Sequence, residues 1–374
     1  GISFYNKVIN KLIENNIEPF VTLYHFDLPF ALVEKYNGWE GRETVYAFER
    51  FAKICFKEFG DRVKYWQPHN EQNLIVRVNE RINIYDEKDE YKIDKMRAQM
   101  DYNMCLAHAL AVNACHEMIP DSKIGPAVSS SVTYPLTCKP EDVYAARMND
   151  NFKVYYMLDM HQYGEYPGYY MNYLKERNIM PVMKEGDKSI LKKAKMDFIA
   201  VNYYRTNCAE ALKANNEHPF GSREGTVDFN MYGLFKMSMN PNLKATEYGA
   251  AIDPSGLRVA LNEYWQRYHL PLIITENGLG TPDILTEDGK VHDEYRIDYL
   301  RSHIEACALA IEDGVEMIGY CPWSFMDLLS SAQGFRKRYG LVYTNRTDDE
   351  LLDLKRIKKD SFYWYQNVIK NNGL

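Results

Sequence analysis

Two glutamates end stretches of the same design. Glu276 closes the apolar run in Pro271-Leu-Ile-Ile-Thr-Glu276-Asn-Gly278, and Glu71 closes Tyr65-Trp-Gln-Pro-His-Asn70-Glu71. Leu272 to Thr275 is apolar or β-branched throughout, which suits a strand buried on both faces. The Asn-Gly pair after Glu276 tolerates positive φ and turns the chain. A carboxylate at the C-terminal tip of a buried parallel strand stands where barrel enzymes keep their chemistry. Taken alone, the Glu276 stretch also reads as the start of a polar turn. As a pair, two glutamates on separate strand tips suit hydrolysis of a glycosidic bond. Retention of configuration needs the carboxyl groups about 5–5.5 Å apart, one as nucleophile and the other as acid and then base. The acid must hold its proton when the bond breaks, so its environment must raise its pKa.

The elements that would carry these tips alternate along the chain. A helix over 4–15 has Val8, Ile9, Leu12 and Ile13 on one face. A strand over 17–24 leads to His25-Phe-Asp27-Leu-Pro29, and a helix over 44–59 is closed by Gly60 as a C-cap. The strand that delivers Glu71 starts at Val63. The segment 95–118 reads as a strong helix, with Met100, Met104, Ala107, Leu110 and Ala111 at three- and four-residue spacing. A short strand is expected at 124–128, helices at 143–159 and 169–177, and a strand at 197–204. The polar stretch 208–253 reads as an irregular, decorating loop. A helix over 257–268 precedes the Glu276 strand, and Asp293 can cap a helix that runs to Glu312 and stops at Gly314. A last strand over 315–322 delivers Trp323, and a helix is expected over 361–370. This alternation of strand, polar tip and helix predicts a parallel α/β architecture, and polar strand tips favour a (β/α)8 barrel over a doubly wound sheet. Six such strands are legible where a closed barrel needs eight. With glycine at position 1, the expectation is one catalytic domain over 1–374 that lacks the first two β/α units, as a fragment of a longer protein would.

Composition narrows the function classes. The chain has 374 residues and a formal charge of −7, which disfavours a nucleic-acid groove as the main function. No apolar run is long enough to span a bilayer. The cysteines, seven in number and scattered without a CxxC pair, read as buried thiols of a reducing cytoplasm and not as a disulfide frame or metal site. No metal-ligand cluster and no phosphate-cradling glycine loop is present, so neither metal nor nucleotide cofactor is implied. Assembly into a homo-oligomer is compatible with the sequence.

His69-Asn70-Glu71-Gln-Asn73 and Ile274-Thr-Glu276-Asn-Gly278 resemble the two signature motifs of the family 1 glycoside hydrolases. Leu23-Tyr-His25-Phe-Asp27-Leu-Pro29, Asp197-Phe-Ile through Asn202-Tyr-Tyr204, and Trp323-Ser-Phe-Met-Asp327 are similar to further family motifs in the expected order. The resemblance spans essentially the whole chain. It implies a TIM-barrel fold with Glu276 as nucleophile and Glu71 as acid/base. It also implies Asn70 on the sugar's 2-hydroxyl, Tyr204 orienting Glu276, His25 and Asn202 on other hydroxyls, and Trp323 as the floor of the sugar site. Outside the motifs, His25 reads by default as a satisfied core histidine, and Trp323 also reads as plain core.

The stretch after Trp323 bears on the substrate. Neutral-sugar members of the family carry a Glu-Trp pair where this chain has Ser330 and Ser331. Removing a carboxylate removes the like-charge repulsion that would exclude a phosphate dianion. Ser330, Lys337 and Tyr339 then supply a hydroxyl, an ammonium and a phenol for a phosphate clamp, although Arg336-Lys-Arg338 also reads as a solvated basic turn. The pattern resembles the 6-phospho-β-glucosidase branch, implying a phosphorylated β-glycoside as substrate. A 6-phospho-β-galactosidase, an unphosphorylated β-glucosidase and a catalytically silent sugar-phosphate binder stay open. Members of the branch often carry two tryptophans where this chain reads Thr246-Glu-Tyr248-Gly-Ala250-Ala251.

Overall fold

The computed structural model describes residues 1–78, 87–225, 228–330 and 333–374. The chain forms two compact units. The first comprises 1–129, 135–200 and 209–237; the second comprises 130–134, 201–208 and 238–374.

In the first unit, strands β1 (Phe20–Tyr24), β2 (Tyr65–His69) and β3 (Lys123–Ile124) lie parallel in that order. Register pairs Phe20 with Tyr65 and Tyr24 with His69, so both strands end together. The ladder continues past β2: Asn70 N–H donates to Tyr24 O at 2.8 Å and Glu71 N–H to Ala127 O at 3.0 Å. Ala127 opens β4 (Ala127–Ser130). Helix α1 (Ile2–Glu14) forms as its periodicity predicts, yet Ile9 is its one buried residue and Val8 and Ile13 are exposed. Helix α2 (Arg42–Phe59) starts close to its predicted position. Gly60 is its C-cap, as predicted, with its N–H donating to Phe56 O at 2.9 Å, but at φ −66° it is right-handed and not left-handed. Glycine is needed there for space: a Cβ would lie 2.4 Å from Phe56 O. Helix α3 (Glu90–Met118) buries Met100, Met104, Ala107 and Ala111 as predicted, while Leu110 stays half-buried. The helix predicted over 143–159 is interrupted: a wide turn at Asn151–Tyr155 separates Pro140–Asp150 from Tyr156–Tyr163.

Strand β5 (Ile199–Tyr203) is buried along its whole length, as its apolar sequence requires. Its last three residues belong to the second unit and lie beside β6 (Leu272–Glu276), which in turn pairs in parallel with β7 (Met317–Tyr320). Helix α4 (Pro254–Tyr268) leads into β6 and is capped by the Asp253 carboxylate, which accepts from Gly256 N–H at 2.9 Å. Helix α5 (Glu294–Glu312) departs from expectation at its start. The Asp293 side chain makes no cap bond; it pairs with Arg296 and accepts from Ser361 N–H at 2.8 Å. Helix α6 (Asp360–Asn371) closes the chain. A core of Leu279, Tyr299, Leu300 and Leu341 is packed by Ile252, Tyr320, Phe362, Trp364 and Tyr365.

The stretch predicted as irregular, 208–253, contains short strands at Asn207–Glu210, Arg223–Glu224, Asn230–Met231 and Lys236–Ser238. Propensity is weak there, and local pairing decides the structure. Of the cysteines, Cys138 and Cys321 are exposed and the other five are buried; all seven are free.

Candidate active site

In the first unit the site is built from the tips of β1 and β2. Asn70 and Glu71 are 3 % and 6 % exposed. Asn70 Nδ2 lies 3.3 Å from His25 Nε2, so two residues expected to touch the substrate share a hydrogen bond. The backbone of Glu71 is left-handed, with φ 46° and ψ 49°, a conformation that costs a non-glycine residue about 1–3 kcal/mol. Its two successors in the chain hold it there. The Asn73 amide donates to Ser129 O at 2.9 Å and Lys153 O at 2.8 Å, and its carbonyl accepts from Ser129 N–H at 3.0 Å. Gln72 Nε2 donates to Asp101 Oδ1 at 3.1 Å. His69, just ahead of the Asn-Glu pair, stacks on Phe48 with centroids 4.5 Å apart, and burial together with His108 keeps its imidazole neutral. Gln72 and Asn73 thus anchor the turn that aims Glu71. Only their polarity in an otherwise buried turn hinted at this.

In the second unit, Glu276 is 9 % exposed. Tyr204 O–H donates to Glu276 Oε2 at 2.7 Å, the contact expected of a residue that orients the carboxylate. Asn202 accepts from Thr275 Oγ1 at 2.7 Å, tying the tip of β5 to that of β6. Asn277, which sequence marks only as a turn residue, is fully buried. Its amide donates to Tyr203 O at 2.7 Å, and its side-chain carbonyl accepts from Tyr320 O–H. The Asn277 backbone carbonyl accepts from Trp323 N–H at 2.9 Å, and a Cβ on Gly278 would lie 2.0 Å from Trp323 O. Trp323 is half-buried and is joined to Ser324 by a cis peptide bond.

The basic loop after Trp323 lies close to Glu276. Lys337 Nζ lies 4.6 Å from the centroid of the Tyr248 ring and 5.4 Å from that of Tyr339. Tyr339 in turn meets Tyr204 edge-on at 6.1 Å. Burial lowers the pKa of Lys337, with repulsion from Arg205 adding to it. Burial pushes the Tyr339 phenol up to about 12, helped by the Glu276 and Tyr248 charges, so it keeps its proton for donation. Among the described residues Lys337 makes no ion pair, which is unusual for a half-buried ammonium. Ser330 exchanges backbone hydrogen bonds with Gly334, both at 3.0 Å, and its hydroxyl lies 3.5 Å from Gln333 Oε1. No hydrogen bond joins it to Lys337 or Tyr339 among the described residues, and Ser331 lies outside them. Neither Arg205 nor Tyr248 is legible as a site residue in the sequence: the motif over 197–204 stops at Tyr204, and Tyr248 stands out only as a departure from a tryptophan pattern. No group of three or more His, Cys, Asp or Glu side chains that could hold a metal is found among the described residues.

The chain is similar to known proteins over its whole length. The chain is 42% identical to the aryl-phospho-beta-D-glucosidase BglC of Bacillus subtilis (strain 168) over 383 residues, covering 100% of this chain and 79% of the relative. It is 37% identical to the 6-phospho-beta-glucosidase AscB of Escherichia coli (strain K12), covering 100% and 76%. A solved family 1 β-glucosidase from Thermotoga maritima superimposes with a TM-score of 0.84 at 35% identity, covering 100% of this chain and 78% of that one. The fold is of the (β/α)8, TIM-barrel type. With the profile described as Glycosyl hydrolase family 1 matching residues 1–374, the chain belongs to glycosyl hydrolase family 1.

Proposed function

We propose that the chain, acting as one catalytic domain over 1–374 in a reducing cytoplasm, hydrolyses 6-phospho-β-glucosides with retention of configuration. The Glu276 carboxylate attacks the anomeric carbon while Glu71 donates its proton to the departing glycosidic oxygen, freeing the aglycone. Glu71, now a carboxylate, takes a proton from water. That water's oxygen displaces Glu276 from the anomeric carbon, and glucose 6-phosphate leaves. Tyr204 holds the nucleophile, Asn70 donates to the 2-hydroxyl, His25 and Asn202 hold other hydroxyls, and Trp323 forms the floor.

One observation carries the phosphate specificity: the half-buried Lys337 ammonium, without an ion-pair partner among the described residues, beside a phenol that stays protonated. A cation so placed is electrostatically suited to a dianion, and Ser330 adds a hydroxyl on the same loop. The relatives named as phospho-β-glucosidases support the same reading.

The test is the initial rate on 6-phosphorylated nitrophenyl-β-glucoside beside the unphosphorylated compound. We expect kcat/KM to favour the phosphorylated one by roughly 100-fold or more, the effect of one or two charge-assisted hydrogen bonds, and Glu276→Gln to abolish turnover. Preference for the unphosphorylated compound would instead mark a β-glucosidase, and preference for the 6-phosphogalactoside the epimeric specificity. Binding of glucose 6-phosphate without turnover of any of these would mark a silent binder.

A further inference from the structure

Lys337 is positioned by more than its own loop. Its chain neighbour Arg338 exchanges backbone hydrogen bonds with Thr281, each 3.0 Å long, which lays the lysine stem along Gly280. There is no room for a side chain at 280, since a Cβ would lie 2.6 Å from both Lys337 Cε and Tyr339 Cζ. Of the two rings beside the ammonium, that of Tyr248 lies nearer. Tyr248 is itself held. Residues 244–252 form a tight hairpin in which Ala245 pairs with Ala251, Thr246 N–H donates to Ala250 O at 2.8 Å, and Gly249 N–H donates to Thr246 O at 2.9 Å. Gly249 takes φ 75°, the left-handed position of a three-residue hairpin loop. Thr246 Oγ1 accepts from Ala250 N–H at 3.1 Å and closes the turn. A short, hydrogen-bonded loop thus presents one aromatic face to one ammonium.

We propose that Tyr248 is a specificity-determining positioning residue: its ring holds the Lys337 ammonium in place for the substrate phosphate, so that the 244–252 hairpin sets how strongly phosphorylated substrates are preferred. The inference rests on the phosphate reading of Lys337. Its chemistry is attraction of a cation to the negative face of an aromatic ring, which leaves the N–H groups directed away from the ring free to donate. The property required is an aromatic face and not a hydroxyl.

The experiment compares kcat/KM for 6-phosphorylated and unphosphorylated nitrophenyl-β-glucoside on the wild type, Tyr248→Phe, Tyr248→Leu, Lys337→Ala and the Tyr248→Leu/Lys337→Ala double variant. Tyr248→Met replaces the leucine variant if that is not recovered folded. The expected result is a fall of roughly 5- to 30-fold in the phosphorylated-to-unphosphorylated ratio for Tyr248→Leu. The loss should lie in KM of the phosphorylated substrate, the phenylalanine variant should restore the ratio, and Tyr248→Leu should have no further effect on it once Lys337 is alanine. Three results would overturn the inference while leaving the phosphate reading intact, provided Lys337→Ala lowers the ratio. They are an unchanged ratio in Tyr248→Leu, failure of phenylalanine to restore it, and an undiminished Tyr248→Leu effect in the Lys337→Ala background. A ratio unchanged by Lys337→Ala would overturn both readings.

Discussion

Lys337 illustrates how one residue's chemistry depends on its surroundings. Burial and Arg205 both weaken its hold on a proton, so its pKa is lowered from the ordinary lysine value. With Lys337 in the proposed phosphate-binding role, this sets the pH range of phosphate preference. A phosphate monoester becomes a dianion above its second pKa of about 6, and Lys337 loses its charge as pH rises through its lowered pKa. The ratio of kcat/KM for phosphorylated over unphosphorylated substrate should therefore rise through about pH 6 and fall on the alkaline side earlier than an ordinary lysine, with its pKa of about 10.4, would dictate. Tyr339, with its pKa pushed up to about 12, stays a donor across that range. Measuring both substrates at each pH removes the contribution of the two glutamates, which act on both. A ratio flat through the alkaline limb, up to and past the ordinary lysine pKa, would contradict the assignment.

Among the elements, the turn after β6 matters most. Glu276 ends a strand whose neighbours are β5 and β7, and the turn must bring Trp323 against it. Asn277 does this through hydrogen bonds to Tyr203 and Tyr320, and Gly278 by having no side chain where Trp323 O approaches. Gly278→Ala should force the two backbones apart and cost about 1–3 kcal/mol of stability, in the range of other overpacking changes. It should also lower kcat through displacement of Glu276 and Trp323, since misplacement of about 1 Å can cost roughly 100-fold. Chemical denaturation and steady-state rates together check this; an alanine variant with both unchanged would show that the turn tolerates the extra carbon.

Across the second unit, charge is balanced deep inside. Lys359 is fully buried, and its Nζ lies 2.8 Å from Asp327 Oδ1 and in contact with Asp283. Arg296 pairs with Asp283 at 2.9 Å and with Asp293, and Arg338 pairs with Asp327 at 2.9 Å. The network joins the start of α5, the residue before α6 and the immediate neighbour of Lys337. Removing one member leaves a buried charge uncompensated, so Lys359→Met should destabilise the protein by about 3–5 kcal/mol, read as a lowered denaturant midpoint. Burial alone would raise the pKa of Asp283, but Arg296 and Lys359 prevail and lower it. Its contribution to stability is thus present above the unfolded carboxylate pKa and lost as pH falls through the lower folded value. The loss in Lys359→Met should accordingly shrink in acid below about pH 4, where Asp283 protonates in the unfolded state.

The order of strands and helices is legible in the amino-acid sequence, because apolar runs and periodic faces are local properties. Glu71 and Glu276 are legible for the same reason: a carboxylate directly after a buried run is visible without coordinates, and the family motifs consist of the same residues. What surrounds those residues is not local, and three-dimensional packing sets it. That Asn73 holds the strained Glu71 turn depends on Ser129 and Lys153, far along the chain. The buried face expected on α1 reduces to Ile9, because burial depends on what packs against a helix and not on its periodicity. The Asp293 carboxylate gives up its predicted cap for Arg296 and Ser361, since a buried guanidinium needs a counter-charge more than a helix end needs an acceptor. Tyr248 belongs to none of the motifs. It meets Lys337 through a hairpin whose pairing is short-range but whose place in the unit is set by packing, and no local pattern in a sequence records that.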